Sequence, residues 1–266
     1  MKKNTRKVLG QHFITNPSIL KKIIDCIRPQ KNDLIIEIGA GKGSLTFLLA
    51  ERAGQVIAIE KDESLISFLK KNKPSNLKLY QEDVLKINFI EIAKPDTTKL
   101  VGNLPYSISS QILFKVLEEP DPIKECHFML QKEVAQRVCA SPGSKKYSSI
   151  SILLQNSFDA KIQFFLSPGS FTPPPKVKSA LVTLKKRPKP IHALLKTQQF
   201  KSFIKNAFSQ RRKKLKNNLI TMGFASEQIK RSFQECGLNP HIRAEKVSLD
   251  DFAALYSSLT KHKKAQ

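Results

Sequence analysis

Apolar residues fall along this chain in two rhythms. The segments Leu34–Ile38, Val56–Ile59, Leu77–Tyr80, Leu100–Gly102, Cys126–Leu130, Lys161–Leu166 and Ala180–Leu184 are short and rich in apolar residues, as strands of a buried sheet are. Between them, apolar positions recur every three or four residues, as at Ile19, Leu20, Ile23, Ile24 and Ile27 or at Ile108, Ile112, Leu113 and Val116, the mark of helices with one buried face. Asn16-Pro17-Ser18 opens the first helix and Arg28-Pro29 closes it. Ser44 is placed to cap a second that Gly54 ends, another follows Asp62, and Ser107 starts the next. Further helices are expected over 131–140 and 148–157. Strands that alternate with helices predict an α/β fold with a parallel, doubly wound sheet, because parallel strands need a crossover. At Lys185-Lys186-Arg187-Pro188-Lys189-Pro190 the pattern changes, and beyond it only helical spacing remains, at Phe200/Phe203/Ile204, Leu215/Leu219, Ile229/Phe233 and Phe252/Leu255/Leu259. The sequence thus predicts an α/β domain over 1–187, including a basic arm over 1–16, and a small C-terminal all-helical domain over 188–266.

Charge adds what periodicity cannot. The 266 residues hold 46 Lys+Arg against 22 Asp+Glu, a net charge of +24. An excess that large repels itself unless a polyanion is the usual partner, and nucleic acid is the first candidate. No apolar run approaches the roughly 18 residues of a membrane span, and the basic N-terminus has no apolar block behind it, so neither a membrane segment nor a signal peptide is expected. Four cysteines (Cys26, Cys126, Cys139, Cys236) and five histidines show no metal-ligand spacing, so reduced thiols, no metal and a cytoplasmic location are expected.

Ligands of an open parallel sheet bind beyond the carboxyl ends of its strands. Four features fall there: Gly39-Ala40-Gly41-Lys42-Gly43 after the first strand, Glu60 after the second, Asp83 after the third and Asn103-Leu104-Pro105-Tyr106 after the fourth. Glycines at Gly39 and Gly41 let the backbone turn tightly and approach a ligand. Glu60 suits a carboxylate that accepts from ribose hydroxyls, and Asp83 suits an acceptor for an adenine amine. The G-x-G-x-G spacing, and Glu37 inside the strand just ahead of it, favour an adenosyl sulfonium over a dinucleotide, since an acid there repels a pyrophosphate and tolerates an ammonium. In the tetrad, the Asn103 amide oxygen and the Leu104 carbonyl can accept both hydrogens of a base's exocyclic amine while the Tyr106 ring stacks on the base. The alternative is an ordinary proline turn after a strand. Pro173-Pro174-Pro175 can be neither helix nor interior strand, so it reads either as a rigid connector or as a loop that presents Phe171 at a fixed place.

Six blocks carry a resemblance to the small-subunit (16S) rRNA adenine N6,N6-dimethyltransferase family, the KsgA type. They are Gly10-Gln11-His12-Phe13, Glu37-Ile38-Gly39-Ala40-Gly41, Gly102-Asn103-Leu104-Pro105-Tyr106, Phe128–Ala135, Phe171–Ser179 and Phe208–Leu215. The resemblance spans nearly the whole chain. It implies a Rossmann-like class I methyltransferase sheet with a small helical domain, and transfer of methyl groups from S-adenosyl-L-methionine to N6 of two adjacent adenosines near the 3′ end of small-subunit rRNA, with a role in small-subunit biogenesis. It implies cofactor contacts at His12, Ile14, Gly39, Gly41, Glu60, Asp83 and Asn103, and it places Phe171 on the face of the base opposite Tyr106. It departs from the family at His12, where Asn is usual, at Ala40, where Pro is usual, and at Ser107, where Asn is usual. The expected partner is rRNA within a pre-30S particle, bound by a monomer. Arg211-Arg212-Lys213-Lys214, placed on a predicted helix, and the lysines and arginine of the arm read as phosphate contacts, which position RNA rather than specify it. The alternatives are an Erm-type 23S rRNA adenine N6-methyltransferase, a non-catalytic rRNA-binding assembly factor and, more distantly, a nicotinamide-dependent oxidoreductase.

Overall fold

The structure is a computed structural model that describes residues 12–263; the arm residues Lys2, Lys3, Arg6 and Lys7, with Gly10 and Gln11, lie outside the described residues. The chain packs as two compact units. The first holds the chain up to Ala135 together with Asp159–Lys186, and the second holds Gln136–Phe158 and the chain from Arg187 onward.

The first unit contains strands β1 (Phe13–Ile14), β2 (Leu34–Ile38), β3 (Gln55–Glu60), β4 (Leu77–Gln81), β5 (Thr98–Asn103), β6 (Ile123–Gln131), β7 (Phe158–Leu166), β8 (Phe171–Thr172) and β9 (Ser179–Lys186), the last three following the insertion described below. Its helices are α1 (Pro17–Ile27), α2 (Thr46–Arg52), α3 (Glu63–Lys71), the single turn α4 (Phe89–Ile92) and α5 (Ser109–Glu118); α6 (Lys132–Val138) runs from this unit into the second. Seven strands form one sheet in the order β4-β3-β2-β5-β6-β9-β7. The pairs β3/β4, β2/β3, β2/β5 and β5/β6 are parallel, and β6/β9 is antiparallel. Strand order reverses between β2 and β5, which opens a crevice at their carboxyl ends, the ligand position of this architecture.

Local chemistry explains the boundaries. In α1 the Asn16 carboxamide accepts from the amides of Ser18 and Ile19, Pro17 fills the first turn, and Arg28 closes the helix in a left-handed conformation at φ 48°. Helix α2 begins at Thr46 with no side-chain cap, so Ser44 does not cap it; the glycine turn continues through Ser44 and carries Thr46 to a buried place beside Glu37. Strand β1, within the segment read as a basic arm, pairs antiparallel with β8, in register Phe13↔Thr172 and Ile14↔Phe171. Phe13–Ile14 is thereby fastened to the segment that leads into the proline loop by main-chain bonds. That pairing has no periodicity to announce it, since each strand is two residues long.

The second unit contains α7 (Ser149–Ser157), α8 (Gln198–Ala207), α9 (Leu215–Thr221), α10 (Ser226–Glu235) and α11 (Leu249–Lys263). Residues 136–158, which the sequence reading kept with the α/β domain, group here for visible reasons. The Asn156 carboxamide accepts from the amide of His192 at 2.7 Å, Arg187 Nε donates to the Gln155 carbonyl at 3.0 Å, and the Tyr147 and Phe208 rings meet edge to face. The core of this unit is aromatic, with Phe200, Phe203 and Phe252 all buried.

At the amino edge of the sheet, away from the crevice, lies a buried ionic cluster. Lys99 Nζ sits 2.9 Å from Asp33 Oδ2 and 3.0 Å from Glu125 Oε1, and also donates to the carbonyls of Ile27 and Arg28. Burial raises the Glu125 carboxyl, but His127 and Lys99 outweigh it and hold the group down at about 2. Breaking a buried pair from one side strands the other charge and costs about 3–5 kcal/mol. Lys99→Met is therefore expected to lower the unfolding free energy by about 3–5 kcal/mol in urea titration. Arg231→Met, which removes a pair with Glu227 that is 4.0 Å long and exposed on both sides, is expected to change it by less than about 1 kcal/mol. A Lys99→Met protein as stable as the parent contradicts this account of the cluster.

Candidate active site

Four strand ends build the crevice. Beyond β2 the chain turns at Gly39, with φ +74°, and its amide donates to the Ile59 carbonyl at 2.8 Å. The Gly41 amide donates to Glu60 Oε2 at 3.0 Å, and a Cβ at Gly41 would lie 2.7 Å from Phe13 Cε1. No larger residue fits between the acid at the end of β3 and the incoming arm. Glu60 Oε1 accepts from the Asp62 amide at 2.9 Å, so this buried carboxylate fastens the glycine turn to the neighbouring strand end. Beyond β4, Asp83 accepts from the Leu85 amide through Oδ1 and from Lys61 Nζ through Oδ2, both at 3.0 Å. The Leu85 amide first and Lys61 second hold its carboxyl below the usual carboxylate range.

At the end of β5, Asn103 Nδ2 donates to the His12 carbonyl. The donor end of the amide is thereby taken by the arm, and Oδ1 is left to face the crevice as an acceptor. The Leu104 amide donates to the Met129 carbonyl at 3.3 Å while the Leu104 side chain is buried, which leaves its carbonyl oriented by Pro105. Tyr106 is half-buried, and its hydroxyl lies 2.6 Å from Ser179 Oγ, so the ring is held at both ends. The His12 ring lies 5.5 Å from the Tyr106 ring at a tilt of 36°, and His12 Nδ1 is 2.7 Å from the Pro173 carbonyl.

Three cavities adjoin along this edge, and Gly39 lines all of them. One of about 160 Å³ runs past Ile59, Glu60, Asp83, Val84 and Ile108. One of about 40 Å³ lies against Ile14, Glu37, Lys42, Ser44 and Asn103. One of about 70 Å³ is bounded by His12, Glu60, Asn103, Leu104 and Tyr106. The structure therefore brings His12, Ile14, Gly39, Gly41, Glu60, Asp83, Asn103, Leu104 and Tyr106 to one edge. Together the cavities suit an elongated ligand with a flat ring at the Asp83 end and a cation at the Glu37 end, meeting a second flat group beside Tyr106.

Phe171 is a correction. Its ring is 3% exposed, lines none of the three cavities and packs in the core with Ile14, Met129 and Leu181. Pairing of β8 with β1 turns it inward. The proline loop reaches the site through the Pro173 carbonyl on His12 instead, so His12 is the ring that faces Tyr106. A second correction concerns Arg211–Lys214, which lie in the turn between α8 and α9 rather than on a helix. On a helix Arg211 and Lys214 would face each other at three-residue spacing as like charges. In the turn, Arg211 donates to the carbonyls of Lys145 and Tyr147, and Lys214 Nζ meets His241 Nδ1 at 2.8 Å. Arg211, Arg212 and Lys213 are all exposed, and Arg211 in addition braces the second unit. Sequence reading did not single out Lys61 or Pro173 as parts of the site; one lysine among so many and one proline of three give no local signal.

Glu37 is the most perturbed carboxyl of the crevice. It is buried within β2, Oε2 has no hydrogen-bond partner among the described residues, and burial first, then the nearby Glu60 charge, push its pKa up to about 8 despite Thr46 beside it. An orphaned acid of this kind is a receptor for a cationic group. Among the described residues no group of three or more His, Cys, Asp or Glu is placed to hold a metal, no helix is long and apolar enough to cross a membrane, and the four cysteines form no disulfide.

Comparison with known proteins shows the family. The family model described as ribosomal RNA adenine dimethylase matches residues 2–261. The ribosomal RNA small subunit methyltransferase A of Geobacter metallireducens is 38% identical over 257 residues, 94% of each chain. Among solved structures, a dimethyladenosine transferase from Plasmodium falciparum superposes with a TM-score of 0.77 at 27% identity, covering 94% of this chain and 98% of its own. The 23S rRNA methyltransferase ErmE superposes with a TM-score of 0.71 at 24% identity, covering 93% and 99%, and shares the fold. The chain belongs to the ribosomal RNA adenine dimethylase family.

The Glu37 environment carries a sign. A carboxyl raised from 4.5 to about 8 binds more protons folded than unfolded across that window. Its stability is full below the unfolded value and is lost as pH rises toward the folded one. Glu37→Gln is therefore expected to match the parent's urea midpoint at pH 4 and to exceed it progressively up to pH 8. Parallel midpoints across that range would contradict a buried, unpaired Glu37.

Proposed function

We propose that this member of the family transfers methyl groups from S-adenosyl-L-methionine to N6 of two adjacent adenosines near the 3′ end of small-subunit rRNA, giving N6,N6-dimethyladenosines in a maturing small subunit. The observation that carries the reading is the Asn103 amide, whose nitrogen donates to the His12 carbonyl and whose side chain lines the cavity beside Tyr106, which leaves Oδ1 as its acceptor.

The residues present fit the cofactor. The cavity along Asp83 and Ile108 suits its adenine, and Asp83 Oδ2 has a second lone pair beyond the one that Lys61 takes. Glu60 suits the ribose hydroxyls on the same grounds, and Glu37 suits the amino-acid ammonium. When bound, the cofactor supplies a methyl already activated by its sulfonium, so no covalent enzyme nucleophile is needed. What remains for the protein is alignment of the target nitrogen. The N6 lone pair of adenine is delocalised into the ring, and attack requires it to turn toward sp³. Asn103 Oδ1 and the Leu104 carbonyl accept the two amine hydrogens and favour that geometry. Positioning of this sort supplies up to roughly 7–11 kcal/mol of a barrier. Tyr106 stacks on the extruded base, an interaction worth about 1–3 kcal/mol. A base sandwiched between two rings needs about 7 Å between them, so the 5.5 Å from His12 to Tyr106 requires the base to use the open face of Tyr106 or to displace His12.

The substrate reading rests on family membership together with the net charge of +24. Exposed Arg212 and Lys213 would meet phosphates from the helical unit. The protein would act in the cytoplasm as a monomer on a partly assembled particle, where RNA shape supplies preference. Mass spectrometry of small-subunit rRNA incubated with the protein and cofactor is expected to find two adjacent dimethylated adenosines near the 3′ end. An unmodified small-subunit rRNA, or a methylated adenosine only in large-subunit rRNA, would contradict the proposal.

A further inference from the structure

The carboxyl edge of the sheet carries a second feature that the tetrad does not account for. Phe165, near the end of β7, is 51% exposed, although its neighbour Phe164 packs against the core. Lys132 Nζ lies 5.6 Å from the Phe165 ring centroid, and the Lys132 amide donates to the Lys178 carbonyl at 2.9 Å. The residue after Lys178 is Ser179, which pairs with Gln131 across β9/β6 and whose hydroxyl meets that of Tyr106 at 2.6 Å. An open aromatic face and two lysines therefore sit one contact beyond the residue that holds Tyr106. Segments 161–166 and 171–179 contain three lysines and no acid, and Glu133 is the single acid of α6.

We propose that Phe165, with Lys132 and Lys178, is a stacking platform for a nucleotide flanking the target adenosine on the same RNA strand. The chemistry selects the occupant. An exposed phenyl ring takes the π-face of any base, and nearby lysines take its phosphates, which gives strand binding with little sequence preference. Lys132 over the ring already shows that a cation is held at the phenyl face, where it can turn to a phosphate when a base arrives. A target drawn out of a stack toward Tyr106 leaves its neighbours unstacked, and a second platform beside the first compensates one of them. The proposal rests on RNA being the substrate and adds a residue to its recognition.

The test is steady-state methylation of small-subunit particles by Phe165→Ala, Phe165→Leu and Phe165→Tyr, with cofactor affinity measured calorimetrically on each. Loss of a stacked base is worth roughly 5–150-fold. Phe165→Ala and Phe165→Leu are expected to raise the particle KM within that range with cofactor affinity and melting temperature unchanged, and Phe165→Tyr is expected to restore it. Full restoration by Leu, an unchanged KM in Phe165→Ala, or a change in oligomeric state on light scattering without a change in KM would each overturn the platform. If the parent protein methylates no adenosine at all, the functional reading fails instead, and the two failures are told apart by that control.

Discussion

An asparagine amide offers an acceptor at one end and a donor at the other, and its use depends on which end the protein occupies. In this chain the His12 carbonyl takes the Nδ2 end of Asn103. His12 can do so because β1 is paired with β8 and because its ring is held by the Pro173 carbonyl. The arm, the proline loop and the tetrad, far apart in sequence, therefore form one device that aims a single amide oxygen into the crevice. Glycine at position 41 completes it, since Phe13 at the other end of that pairing lies where a Cβ would be.

Electrostatics divides the crevice in a complementary way. Glu60 is buried and accepts two backbone amides, whereas Glu37 is buried with an unpartnered oxygen and holds its proton to about pH 8. Two carboxyls on one edge, one satisfied and one not, discriminate along the length of a ligand: hydroxyls at one, a cation at the other. A cation beside Glu37 favours its ionised form and gains a paired carboxylate, whereas a dinucleotide pyrophosphate gains no such partner there, which is the physical reason the glycine turn suits an adenosyl sulfonium. At the opposite edge Lys99 pairs with both Asp33 and Glu125 and lies away from this chemistry, although that cluster too consists of buried charge.

The four strand ends were legible because each depends on local rules: an apolar run, a glycine turn, an acid at fixed distance. The parallel part of the sheet follows from alternation of strands and helices, although β9 runs antiparallel to β6, and the helical second unit follows from a change of period after Lys186. What was not legible depends on contacts between distant segments. The two-residue pairing of Phe13–Ile14 with Phe171–Thr172 leaves no pattern, and it alone decides that Phe171 is core while His12 faces Tyr106. The four cations Arg211–Lys214 look alike in sequence, but the carbonyls of Lys145 and Tyr147 make Arg211 a brace. Membership of residues 136–158 in the second unit likewise depends on Asn156, Gln155 and Tyr147 meeting partners that follow Lys186.

The central claim is that the Asn103 oxygen prepares N6 for attack and does not merely shape the turn. Single-turnover methyl transfer by Asn103→Ala, with small-subunit particles and labelled cofactor both saturating, tests it most directly. Loss of one aimed hydrogen-bonding partner of a reacting group slows chemistry by about 10²–10³-fold in comparable sites, and the account expects a loss of at least that order with a cooperative unfolding transition retained. A rate near that of the parent protein would contradict it.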